Sequence, residues 1–333
     1  MGILTTEYKH ISGTDELEIA VLRMEPDNAA AVRGAVVIVH GMCEHKGRYD
    51  AFQRFLAEQG YIAVSFDHRG HGESVRSPQD LGFLYEGGYI AMILDMHEIV
   101  KETKRYAEAS TGGRKLPFYM IAHSMGTLCA RCYLRDHDDE LDKLVLLGCP
   151  SKLSGMKPGL KLVQALINQK GGHERSKIVD FIVGNGYEKA FAKEHTPHAW
   201  TNSDPEEVRI FNEDPLCGYT FTLNGYENLI KLAMLTYRDG GYGMRNPELP
   251  IRFYSGGDDP CAISREKLGE AIKLLRKQGY MNSKGKIYPG MRHEILRERE
   301  KEKVWADILN FLEDGAAGVS SDTEGKSPDE DND

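Results

Sequence analysis

Ser124 sits in the run Ala122-His123-Ser124-Met125-Gly126, directly after the apolar residues 118–121 and directly before the helix-like residues 127–134. A serine between small residues where a strand turns into a helix is bent sharply. Its hydroxyl projects above the sheet while the N–H groups of the following helix aim at the same point. Such a hydroxyl is a weak nucleophile at neutral pH, so it requires a base, and the base requires a carboxylate to fix its tautomer and stabilise the imidazolium. Residues 250–255 read as a short strand running into Gly256-Gly257-Asp258-Asp259-Pro260, where a carboxylate hangs off the strand end. Asp259 is the expected acid, with Asp258 as its competitor, because the sequence does not say which of two adjacent side chains faces a histidine. Residues 286–288 read as the last strand, followed by Pro289-Gly290-Met291-Arg292-His293-Glu294. Among twelve histidines, His293 stands out by following both Ser124 and the aspartate loop, the chain order that this kind of serine uses. An oxyanion hole completes the set. The β-branched residues 36–39 end in His40-Gly41-Met42-Cys43-Glu44-His45, where Gly41 permits a turn that presents the Met42 N–H beside that of Met125. Each such donor contributes about 3–4 kcal/mol to the transition state.

These residues need a scaffold, and the hydropathy pattern supplies one. Residues 6–11 and 17–22 alternate around Gly13 and predict an antiparallel hairpin. Strands near 35–39, 61–66, 117–121, 142–147, 250–255 and 285–288 alternate with helices near 49–59, 88–109, 126–136, 263–278 and 297–312, the last opening at about residue 295. Such alternation means an α/β fold with a doubly wound, mostly parallel sheet whose ligands bind at the strand C-terminal ends. Between Cys149 and about Pro247 the alternation stops, and helices are expected near 160–169, 176–193, 205–211 and 225–238. We read residues 1–149 and 248–315 as the core, 150–247 as a helical cap, and 316–333 as a disordered tail. The cap carries Trp200, Phe181, Phe191, Phe211, Phe221, Tyr219, Tyr226 and Met234, enough apolar surface to line an acyl pocket, although for each singly packing of the cap onto the body is the better explanation.

Five segments in this order resemble the α/β-hydrolase superfamily, on the branch of monoacylglycerol lipases, lysophospholipase-like hydrolases and the serine aminopeptidase group. They are HGMCEHKGRY (40–49), FDHRGHGES (66–74), AHSMG (122–126), SGGDDP (255–260) and YPGMRHE (288–294). The resemblance implies a triad of Ser124, Asp259 and His293, with Met42 and Met125 as oxyanion donors. It also implies monoacylglycerols, lysophospholipids or small acyl esters as substrates. Two positions depart from the pattern: Ala122 replaces the first glycine of the elbow, and Thr127 stands where many relatives have another, either near the reacting atoms or as a helix cap.

Composition narrows the rest. The net charge is −9, and six acidic residues against Lys326 alone place more than half of that imbalance in the tail. The folded body is only weakly acidic, which argues against nucleic-acid binding and gives no electrostatic pull to anionic membranes. No apolar run approaches a transmembrane length, and the N-terminus lacks a signal-peptide pattern, so a cytoplasmic protein with six free thiols is expected. Cys129 and Cys132 are spaced C-x-x-C without a second pair and read as core packing. Asp67, His68 and His71 suggest a metal cluster, but their glycine-bearing loop offers no accompanying ligand set, and scaffolding is expected. His40 and His45 read as structural, His195 and His198 as exposed polar residues, and residues 136–140 as a solvated connection. No phosphate-cradling motif appears, and neither a cofactor nor a metal is expected. The reading is a serine hydrolase that cleaves carboxylic esters through an acyl-enzyme, with transient cap contact at a membrane surface. One rival is a peptidase or amidase using Glu206, Glu207 or Glu213 to hold a substrate amine. The other is a ligand-binding homologue that has lost turnover.

Overall fold

The sheet is built from β1 (Ile3–Ile11), β2 (Glu18–Pro26), β3 (Gly34–Val39), β4 (Tyr61–Phe66), β5 (Phe118–His123), β6 (Lys143–Leu147), β7 (Ile251–Gly256) and β8 (Ser283–Tyr288). The computed structural model describes residues 2–152, 154–262 and 264–314, so the acidic tail lies outside the described residues. The strand order is β1-β2-β4-β3-β5-β6-β7-β8. β1 and β2 are antiparallel to each other, β2 is antiparallel to β4, and β3 to β8 run parallel. The hairpin is longer than expected, because pairing extends from Ile11↔Glu18 out to Ile3↔Pro26.

The helices are α1 (Asp50–Glu58), α2 (Gly88–Ser110), α3 (Met125–His137), α4 (Met156–Lys170), α5 (Lys177–Ala190), α6 (Pro205–Glu213), α7 (Leu223–Thr236), α8 (Arg265–Gln278) and α9 (Lys301–Glu313). β3 shows why both faces must be covered, since all six of its residues are buried. Val37 and Val39 pack into one core with Met96 and Ile99 of α2 and Leu134 of α3. Val36 and Ile38 pack into a second core with Phe52 and Leu56 of α1 and Val304 and Ile308 of α9. Alternating side chains of one strand thus feed two layers of helices, which makes the sheet doubly wound as predicted.

One expected helix starts later than its pattern implied. Residues 295–300 do not continue α9, because the Glu298 carboxylate is committed to other loops: it accepts from the backbone N–H of Arg292 and of Ser203. Between β6 and β7 lie α4 to α7, with no strand among the described residues. α7 packs on α3 and α4 packs on α7, so this insertion is founded on the helix that follows Ser124. Its helix starts follow the sequence: Ser176, Asp204 and Thr222 cap α5, α6 and α7 through their side-chain oxygens. No described helix is long and apolar enough to cross a membrane.

Candidate active site

Ser124 links β5 to α3 with φ 51° and ψ −121°, a conformation that costs a non-glycine residue about 1–3 kcal/mol. Its neighbours enforce the bend. Ser124 N–H donates to Leu147 O at 2.9 Å, and the Thr127 N–H and hydroxyl both donate back to Ser124 O, at 2.9 and 2.7 Å. Thr127 is therefore a cap that closes the elbow. Gly126 is required, since a Cβ there would stand 2.5 Å from Val39 O and 2.6 Å from His40 O. Ala122 fits without difficulty, fully buried in the first core.

His293 lies on the loop after β8 and is buried. Its Nδ1 is 3.0 Å from both oxygens of Asp259, and Asp259 Oδ1 also accepts from Cys261 N–H at 2.8 Å. Asp258 is exposed, and its backbone N–H donates to Met291 O, so of the two adjacent carboxylates only Asp259 meets the histidine. The imidazole is held from three sides. The Trp200 ring is 5.1 Å away, the His123 ring is 4.7 Å away, and a Cβ on Gly148 would lie 3.0 Å from His293 Cε1. His293 Nε2 is buried and has no partner among the described residues, and His293 lines the same cavity as Ser124.

The loop after β3 closes on the serine. A Cβ on Gly41 would stand 2.8 Å from Ser124 Cβ, so glycine alone admits this approach. Met42 and Met125 line the cavity beside Ser124. Met125 opens α3, where amide groups lack intrahelical acceptors.

Beneath these groups lies a buried charged cluster that sequence reasoning missed. Glu44 Oε1 accepts from Gly41 N–H at 2.5 Å, from Tyr49 OH at 2.9 Å and from His123 Nδ1 at 2.8 Å. His123 Nε2 donates to His293 O at 3.3 Å, and Arg48 makes a two-pronged pair with Glu294 at 2.5 and 2.7 Å. Both nitrogens of His123 thus face acceptors, as an imidazolium requires. Burial penalises the charge on each partner, but their mutual attraction outweighs it. Glu44 is held well below the usual carboxylate range and His123 above the usual imidazole range. The available signal was charge placement, because Glu44 and Arg48 closely follow the expected oxyanion turn, His123 adjoins Ser124 and Glu294 adjoins His293.

The other candidates take structural positions. His40 Nδ1 donates to Gly41 O and its Nε2 accepts from His68 N–H; burial pushes its pKa down to about 4. Asp67 accepts from the backbone N–H of Lys46 and Glu73. His45 donates to Asp214, and His198 meets Asn212, while His195 is exposed. Cys129 and Cys132 are buried in α3. Glu206 and Glu213 are exposed partners of Arg209, Glu207 binds Arg297, and none of the three lines the cavity. The cavity measures about 650 Å³ and is mainly apolar. Of the expected aromatic residues, Phe181, Trp200, Phe211, Tyr219 and Tyr226 line it. Phe191 instead packs under the Arg292 guanidinium, and Phe221 is buried in the core.

Residues 30–300 match the family described as Serine aminopeptidase, S33. A probable lysophospholipase L2 of Haemophilus influenzae is 30% identical over 326 residues, which cover 91% of this chain and 91% of that protein. A monoacylglycerol lipase of Mycolicibacterium smegmatis is 25% identical over 291 residues, 84% of this chain and 88% of its own. The crystal structure of a thermostable carboxyl esterase from Bacillus coagulans superposes with a TM-score of 0.81 at 25% identity, covering 94% of this chain and 99% of that one. Sheet order, insertion and kinship agree: the chain belongs to the Serine aminopeptidase, S33 family and is an α/β-hydrolase of the branch that holds the monoacylglycerol lipases and lysophospholipases.

Proposed function

We propose that this enzyme hydrolyses carboxylic esters through an acyl-enzyme on Ser124. One observation carries the reading: His293 is bound by Asp259 on Nδ1 and leaves its buried Nε2 unpartnered in a cavity shared with the strained Ser124. His293 Nε2 takes the Ser124 proton as Oγ attacks the ester carbonyl, and the N–H groups of Met42 and Met125 receive the oxyanion. Collapse breaks the bond to the alcohol, which leaves with the proton from His293. Water then gives a proton to His293 and attacks the acyl carbonyl, and the acid departs as Ser124 regains its hydrogen.

The apolar cavity favours a single acyl chain, as in a monoacylglycerol, a lysophospholipid or a smaller ester. Residues 150–247 act as the cap, and the exposed Leu162, Ile178, Phe181 and Ile182 would meet a lipid surface transiently. All six cysteines are free thiols, which suits the reducing cytoplasm. A peptidase reading loses its support, because Glu206, Glu207 and Glu213 are committed to arginines away from the cavity.

The test combines a fluorophosphonate probe with a panel of esters of graded acyl length. The wild type should be labelled and turn over esters, while Ser124→Ala should be unlabelled, folded, and slower by roughly 10⁴-fold or more. Wild-type protein that is folded yet neither labelled nor active would instead favour the ligand-binding homologue.

A further inference from the structure

His97 of α2, His137 at the end of α3 and Glu140 just beyond it bring one donor atom each within 4.8 Å of one another. The rings of His97 and His137 stack with centroids 3.9 Å apart and planes 16° apart. Each presents Nδ1 to the same carboxylate: His97 lies 3.6 Å from Glu140 Oε2, and His137 lies 3.8 Å from Glu140 Oε1. Both separations exceed hydrogen-bond length, and His97 Nδ1 otherwise meets only Tyr133 OH, at 3.4 Å; turning one ring out of the stack would aim both in-plane lone pairs at a shared ion beside Glu140. Tyr133 OH donates to Glu140 Oε2 at 2.7 Å, which holds the carboxylate in place. All three side chains are partly exposed, so an ion can enter and water can complete its shell.

We propose that His97, His137 and Glu140 bind a divalent transition-metal ion of the zinc class. Two imidazoles and one carboxylate match the borderline softness of such an ion, whereas magnesium and calcium prefer oxygen throughout. Both histidines must be neutral to bind. Burial and the neighbouring imidazole hold His97 below its ordinary pKa, despite the opposing pull of Glu140 and Glu98, and Lys101 adds to the lowering. Two other groups of donors converge in the described residues. Asp259, Cys261 and His293 belong to the candidate active site, and His45, Asp214 and Cys217 are disfavoured because a 2.9 Å hydrogen bond already ties His45 Nε2 to Asp214, shorter than the contacts of 3.4 to 3.8 Å at His97 and His137.

Location sets the role. α3 starts at the elbow and ends at His137, so its 13 residues put about 20 Å between Ser124 and this site. The ion would tie α2 to the far end of α3 and take no part in ester chemistry.

The experiment is calorimetric titration of untagged, chelator-treated full-length protein with Zn²⁺, paired with thermal melts. One ion per chain should bind the wild type and raise its melting midpoint. The His97→Ala/His137→Ala double variant should bind more than about tenfold more weakly, and Glu140→Gln should also weaken binding. His195→Ala, which removes an exposed histidine elsewhere, should bind like the wild type. Fluorophosphonate labelling of every variant should match the wild type, which confirms that each is folded. Absence of Zn²⁺ binding to the wild type, or equal binding by the folded double variant, would overturn the proposal.

Discussion

Asp258 and Asp259 are adjacent in sequence and opposite in circumstance, one exposed and the other buried against His293 Nδ1. Asp259→Asn keeps the size but removes the charge that stabilises an imidazolium, and it offers an amide that favours the wrong tautomer. Turnover of esters should fall by roughly 10⁴-fold, while Asp258→Asn should stay within about twofold, since exposed substitutions are generally mild. Steady-state kinetics on one ester checks both, and comparable losses in the two variants would contradict the assignment. Residue order was enough to single out Ser124, Asp259 and His293, and the fold gathers them: His293 meets Asp259 and shares a cavity with Ser124. Glu44 and His123 show in the sequence only their places beside the expected oxyanion turn and Ser124, not their pairing. Their partnership spans 79 positions and exists only because β3 and β5 are neighbours in the sheet. His97 and Glu140 are likewise joined only when α2 packs beside α3, so a segment read as a solvated connection contributes to a donor cluster.

At the scale of elements, the site depends on how closely the end of β3 approaches the start of α3. Gly126→Ala would force a methyl against the backbone carbonyls of Val39 and His40, neither of which can swing aside as a side chain tip can. We expect a loss of about 1–3 kcal/mol in denaturant melts, together with a drop in kcat as the elbow shifts from the Gly41 loop. Gly159→Ala in α4 is the contrast, because its Cβ would meet only Ile230 Cδ1, at 3.9 Å. Relief of helix-interior glycine should leave that variant equal to the wild type or more stable by up to about 1 kcal/mol. Equal destabilisation of both variants would mean that close approach at the elbow is not the constraint. The positions of β3 to β6 were legible because buried parallel strands read as short apolar runs. The start of α9 was not, since residues 295–300 have helical composition and are diverted by hydrogen bonds to Glu298.

Across the whole molecule, pH should act through a buried histidine group. The rings of His40, His68 and His71 lie 4.5 to 6.1 Å apart, and burial lowers all three, with added repulsion from His40 on His68 and His71 and from His45 and His123 on His40. His40 is pushed down to about 4 and His71 to about 3. Below an ordinary imidazole pKa the unfolded chain takes up protons that the folded chain refuses, so stability is full above pH 6.5 and declines as pH falls toward 4. The slope is about 1.4 kcal/mol per pH unit for each histidine kept neutral. His10 works in the opposite direction. Its hydrogen bonds to Glu102 and Glu98 outweigh partial burial and raise it to about 9, so its contribution is full below 6.5 and is lost as pH rises through 9. Denaturant midpoints measured from pH 5 to 9 should therefore peak near neutrality, and a flat acid limb between pH 6.5 and 5 would refute this account.

The buried carboxylate of Glu44 reaches Gly41 within its own loop and His123 at the end of β5, and Arg48 extends the link to Glu294 on the loop after β8. None of these ionised groups has a neutral substitute that leaves its partners content, so single exchanges would be purged in descent. We therefore expect lineages of this enzyme to inherit the four as a block, while the helices above them diverge and adapt the same chemistry to new substrates.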